Sequence, residues 1–186
     1  MVNLNGQLII IADPIQTKRN ENNQKRKAWL RDQIKGKNVI YTGLLPGPET
    51  EAAEIALELS VPYIATIPYK TRYLNWPTKV KNHYLHLIKK SVKTVYVDRQ
   101  LGYISETCPP DEKCPRKNIE QARWLISKVS KFPGTTHIIV YGSGFYSQKI
   151  QAIHTILKNA DIPEKWQLTE KTHMEILVPP EDDLPF

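Results

Sequence analysis

Short, nearly continuous apolar runs alternate with stretches of helical periodicity along most of the chain. Residues 8–12, 39–42, 63–67, 94–97 and 137–141 are rich in Val, Ile and aromatic residues, and they read as five strands buried on both faces. Residues 20–35, 49–60, 78–90, 118–130 and 145–159 between and after them read as helices. In the second helix Ala52, Ile55, Ala56 and Leu59 recur at i, i+3, i+4 and i+7 on one face. The third offers Val80, Tyr84, Leu87 and Ile88 as its buried stripe, and the fourth offers Ile119, Ala122, Ile126 and Val129. The first helix has only Ala28, Trp29, Leu30 and Ile34 among Lys, Arg, Asn and Gln, which predicts loose packing or exposure. This βαβα rhythm predicts an α/β domain whose mostly parallel sheet of five to six strands is covered on both faces. The domain spans residues 1–178 with a sixth strand at 174–178, and an acidic tail, 179–186, is expected to fray.

At 186 residues the chain suits one domain with a good core. Its apolar runs fall short of the roughly 20 residues that cross a bilayer. The start, Met1 to Gly6, lacks the basic segment of a signal peptide, so a cytoplasmic protein without membrane partners is expected. The formal charge is +7. It concentrates between residues 18 and 37, where Lys18, Arg19, Lys25, Arg26, Lys27, Arg31, Lys35 and Lys37 face Glu21 and Asp32. Such a cluster is either a solvated helix face or a contact for nucleic-acid phosphates, carried by Lys25, Arg26 and Lys27. Cys108 and Cys114 flank a proline-bearing segment. No further Cys or His pair completes a zinc set, so no metal or cofactor is implied. Two free thiols are expected in a reducing compartment, with a loop disulfide as the alternative.

Parallel sheets bind ligands beyond the carboxyl ends of their strands. That rule selects Asp13 after the first strand, the turn bearing Gly43, Gly47, Glu49 and Thr50 after the second, and Tyr69 after the third. It also selects Gly142, Ser143, Gly144 and Phe145 after the fifth. The last four present small residues at a helix start, where backbone N–H groups meet an anion; an ordinary turn is the alternative. Trp76, with Tyr69, Arg72 and Tyr73, forms an aromatic and basic rim that suits a nucleotide base or simply covers a helix end. Glu49 and Asp13 are the acids placed to meet a sugar hydroxyl or to act as a general base.

The run from Gly43 through Pro46-Gly47-Pro48-Glu49-Thr50, Ala52-Ala53-Glu54, Pro62 and Pro68-Tyr69 resembles the second strand-turn-helix-strand of the SLOG superfamily. The likeness continues through Trp76-Pro77, the residues from Tyr84 to Leu87, the strand at Val95 and the helix from Ile119, covering roughly residues 7–160. That superfamily includes DNA-processing protein A, the lonely guy phosphoribohydrolases and small bacterial proteins thought to sense nucleotide-derived ligands. The resemblance implies a Rossmann-like fold and a nucleotide-derived ligand at the sheet edge. Phosphate would lie at Ser143 to Phe145, ribose or phosphate oxygens at Glu49 and Thr50, and the base at Tyr69 or Trp76.

The chain departs from the family at positions that bear on chemistry. Ala12-Asp13-Pro14 stands where small members carry a Gly-His-Arg-type turn, and Gln121-Ala122 where they carry Arg-Asn. The family's proline-glycine-glycine turn with paired Arg and Glu is not matched. Ligand binding without catalysis is therefore expected. The alternatives are an N-glycosidic hydrolase with Glu49 as its acid, and a nucleic-acid-binding module using the basic first helix. A homo-oligomer is compatible with either.

Overall fold

In the computed structural model, residues 6–13, 20–97, 115–129, 136–142, 148–159 and 166–172 are described. Six strands form one sheet: β1 (Gln7–Ala12), β2 (Val39–Thr42), β3 (Tyr63–Ile67), β4 (Lys93–Tyr96), β5 (Thr136–Gly142) and β6 (Trp166–Thr172). Their spatial order is β4-β3-β2-β1-β5-β6, and every pairing is parallel. The helices are α1 (Asn20–Ile34), α2 (Pro48–Glu58), α3 (Thr78–Lys90), α4 (Pro115–Val129) and α5 (Gln148–Asn159).

Two cores show how the layers are built. Alternate residues of a strand point to opposite faces, and β1 divides accordingly. Leu8, Ile10 and Ala12 pack with Leu30 and Ile34 of α1, Ala52 and Ile55 of α2, and Tyr84 and Leu87 of α3. Ile9 and Ile11 pack on the other side with Ala122 and Leu125 of α4 and with Ile150, Ile153 and Leu157 of α5. The result is a three-layer, doubly wound α/β domain of Rossmann-like type. The sheet order reverses between β1 and β5: α1 leaves β1 toward one face, and α5 leaves β5 toward the other. Among the described residues no helix is long and apolar enough to cross a membrane.

The sixth strand is at Trp166–Thr172, with each of its residues in register with β5 from Thr136 to Gly142. The strand expected at 174–178 lies outside the described residues, along with the tail at 179–186. The run Trp-Gln-Leu-Thr-Glu-Lys-Thr is mostly polar. It terminates the sheet, where a strand has a neighbour on one side only and needs no continuous apolar sequence.

α1 is packed more firmly than its composition predicts. Leu30 and Ile34 are fully buried, and so is Arg26, at 1% exposure. The Arg26 guanidinium grips Glu51 of α2 in a two-pronged pair, Nε to Oε2 at 2.6 Å and Nη2 to Oε1 at 2.5 Å, and Nη2 also donates to Asn23 Oδ1. Burial opposes that charge, and the partnership with Glu51 outweighs it, so the Arg26 pKa stands above its ordinary value. Further along, Lys27 meets Glu54 at 3.1 Å and Arg31 pairs with Glu58. The positive face of α1 is thus matched by a row of acids on α2.

Candidate functional site

The turn between β2 and α2 carries most of the candidate site, and its backbone explains its residues. Gly47 has φ 116°, a conformation in which a side chain would be strained, and it caps the start of α2, with Pro48 in the first turn. Thr50 closes the same turn on itself: its hydroxyl accepts the Gly47 N–H at 3.1 Å and donates to the Gly47 carbonyl at 2.9 Å. Thr42 ties the strand end to the helix by donating to the Glu49 carbonyl at 2.9 Å.

Glu49 is buried at 3% exposure and faces inward, across the carboxyl ends of two strands. One carboxylate oxygen accepts the Ala12 N–H at 2.9 Å, and the other accepts the Leu45 N–H at 3.0 Å. The acid therefore clamps the end of β1 to the turn after β2. Asp13 follows directly, 4% exposed, with its own N–H donating to the Tyr141 carbonyl of β5 at 3.0 Å. Both acids thus sit where β1 parts from β5.

Gln121 completes this arrangement from the opposite layer. It is buried on α4, and its amide donates to the Thr66 carbonyl of β3. Gly43, Glu49 and Gln121, with Ile10, Ile11 and Leu125, line a crevice of about 220 Å³ including its open mouth. Its enclosed part holds about one water molecule. Gly43 is needed by this close approach. A Cβ there would lie 2.7 Å from Glu49 Oε2 and would run into the Gln121 amide. Gly43→Ala is expected to cost about 1–3 kcal/mol through this overpacking. Urea unfolding checks it, and a loss below about 0.5 kcal/mol would show that both side chains step aside freely.

On the other flank, Arg72 is buried at 8% exposure. Its Nη1 donates to the Gly43 carbonyl at 2.8 Å, and its guanidinium lies 5.8 Å from the centre of the Trp76 ring. Trp76 is half-buried and meets Tyr84 of α3 edge-on, centroids 5.0 Å apart. Burial holds the Tyr84 hydroxyl well above the usual phenol range, with the Arg72 charge acting against it. Tyr141, beneath α1, is pushed up to about 12 by burial, again opposed by an arginine, Arg26.

No family model matches the chain, and no curated protein matches it. Among solved structures, the X-ray structure of DNA processing protein A (DprA) from Streptococcus pneumoniae aligns over 97% of this chain and 62% of that one, with a TM-score of 0.43 and 13% identity. The chain thus spans less than two thirds of that protein's length.

Of the residues chosen from sequence, Asp13, Gly43 and Glu49 converge at the carboxyl edge, and Gly47 and Thr50 shape the turn that holds Glu49. Gly142 ends β5 and is buried; Ser143, Gly144 and Phe145 lie outside the described residues, as do Cys108 and Cys114. Tyr69 is half-buried in the turn after β3, and Trp76, just before α3, packs edge-on against Tyr84 in the middle of that helix. Lys25 and Lys27 are exposed, Lys27 being paired with Glu54. Arg26 is a correction: it is buried against Glu51, so a surface phosphate contact through it does not form. Gln121 and Arg72 are the additions. Gln121 reads in sequence only as the loss of a family arginine, and Arg72 only as part of a rim.

Proposed function

We propose that the protein binds a nucleotide or nucleotide-derived ligand at the carboxyl edge of its sheet, as a binding or sensing domain and not as a hydrolase. The observation that carries this reading is the meeting of Asp13, Glu49, Gly43 and Gln121 beside the β1–β5 reversal. Open α/β sheets take their ligands at such a reversal. Two buried carboxylates and an amide there suit the hydroxyls of a ribose and the polar edge of a base.

The hydrolase alternative asks Glu49 to act on a glycosidic bond. A general acid or base needs an oxygen aimed at the reacting atom. Both Glu49 oxygens receive backbone N–H groups, which gives the acid a clamping role and favours binding over turnover. The nucleic-acid alternative loses Arg26 to the interior, while Lys27 and Arg31 face acids of α2.

Native mass spectrometry of freshly purified protein, followed by calorimetry against nucleoside mono-, di- and triphosphates, tests the proposal. A retained mass that fragments as a nucleotide, or saturable heat with one of the panel, is the expected result. An empty protein that gives no heat with any nucleotide would sink it.

A further inference from the structure

Arg72 is a buried cation with half of its fork unengaged. Its Nη1 is held by the Gly43 carbonyl, and its Nη2, shielded from solvent, has no hydrogen-bond partner. Among the described residues no carboxylate lies within ion-pair distance of it, in contrast to Arg26. A charge withdrawn from water without a counter-charge is costly, and proteins normally provide one. A second orphan lies in the same cluster: the hydroxyl of Tyr84, whose ring packs on Trp76, is also buried without a partner. Both orphaned groups can donate, and neither has an acceptor. The cluster abuts the crevice, because the carbonyl that anchors Arg72 belongs to Gly43, which lines it.

We infer that Arg72 and Tyr84 form an anion subsite, which takes a phosphate group of the ligand through Arg72 Nη2 and the Tyr84 hydroxyl beneath the half-buried Trp76 ring. The inference rests on the proposed function for its nucleotide and adds a recognition element on the β3 side of the crevice. Trp76 is the cover that must move for the phosphate to enter. A guanidinium fork suits phosphate better than a point charge does, since two N–H groups align with two oxygens.

The test is titration of inorganic phosphate, a nucleoside and its monophosphate into the wild type, Arg72→Met and Tyr84→Phe, followed by calorimetry and by thermal shift. Arg72→Met keeps the stem and removes the charge. Tyr84→Phe removes only the orphaned hydroxyl and should leave the unliganded fold intact, so it reads the site even if the arginine variant folds poorly. The expected result is that the wild type is stabilised by phosphate, and that Arg72→Met weakens phosphate and monophosphate binding at least about tenfold. Tyr84→Phe should weaken both severalfold, with the nucleoside binding all three proteins alike. Phosphate and monophosphate affinities unchanged in both variants would overturn the inference while leaving the proposed function standing. Arg72-dependent phosphate binding with no binding of any nucleoside or nucleotide would uphold the anion subsite and overturn the proposed function. A wild type indifferent to tens of millimolar phosphate and to the monophosphate would overturn the inference.

Discussion

Arg26→Ala should lower the unfolding free energy by about 3–5 kcal/mol, the cost of leaving a buried charge without its partner. The arginine is 1% exposed and Glu51 is 12% exposed, so solvent screens the pair little. Removing the guanidinium strands the Glu51 carboxylate between α1 and α2 and opens a cavity beside Trp29 and Tyr141, whose rings lie 6.0 Å apart. The control is the double change Arg26→Met with Glu51→Leu, which replaces the pair by apolar groups of similar size. It should recover most of the loss, because a buried pair contributes little beyond what good packing supplies. Urea unfolding of the two variants decides the matter. A single variant that loses less than about 1 kcal/mol would mean that α1 is held by Leu30 and Ile34 alone.

Glu49→Ala is the second large effect, on the order of 2–4 kcal/mol, since a buried backbone donor at Ala12 and a part-buried one at Leu45 lose their acceptor at once, and an unmet buried donor costs roughly 1–3 kcal/mol. Glu49→Gln separates charge from hydrogen bonding. Its amide oxygen still accepts one N–H, while its NH₂ faces the other donor, so it should fall between wild type and alanine. Hydrogen exchange reads the same event locally: the Ala12 and Leu45 amides should lose protection before the rest of the sheet. Alanine and glutamine variants as stable as the wild type would show that the carboxylate does not clamp β1 to the turn.

The interior strands and the helices were legible because they are buried on both faces or along one stripe, and burial writes itself into continuous or periodic apolar residues. β1, β2, β3 and β5 fall within a residue of the runs that predict them. β6 was not legible, because at the end of the sheet its partner is β5 alone and a polar run such as Thr-Glu-Lys-Thr suffices. α1 was misread for another reason. Arg26 reads as solvated because its counter-charge, Glu51, lies on a different helix 25 positions later, whereas Lys25, Lys27 and Arg31 are exposed as the sequence suggests. The strand-end rule puts Asp13, Gly43 and Glu49 beyond the carboxyl ends of β1 and β2, where they lie, since it depends only on where strands stop. It gave no sign of Gln121, which reaches the crevice from the opposite layer, or that Glu49 is turned inward to hold backbone.

Amide chemical shifts of isotopically labelled protein during addition of a nucleotide panel test the central claim most directly. Binding at the carboxyl edge predicts saturable shifts centred on Ala12, Asp13, Gly43, Leu45 and Gln121, with the exposed side of α1 around Lys25 unmoved. Shifts confined to α1, or none with any nucleotide in the panel, would contradict it.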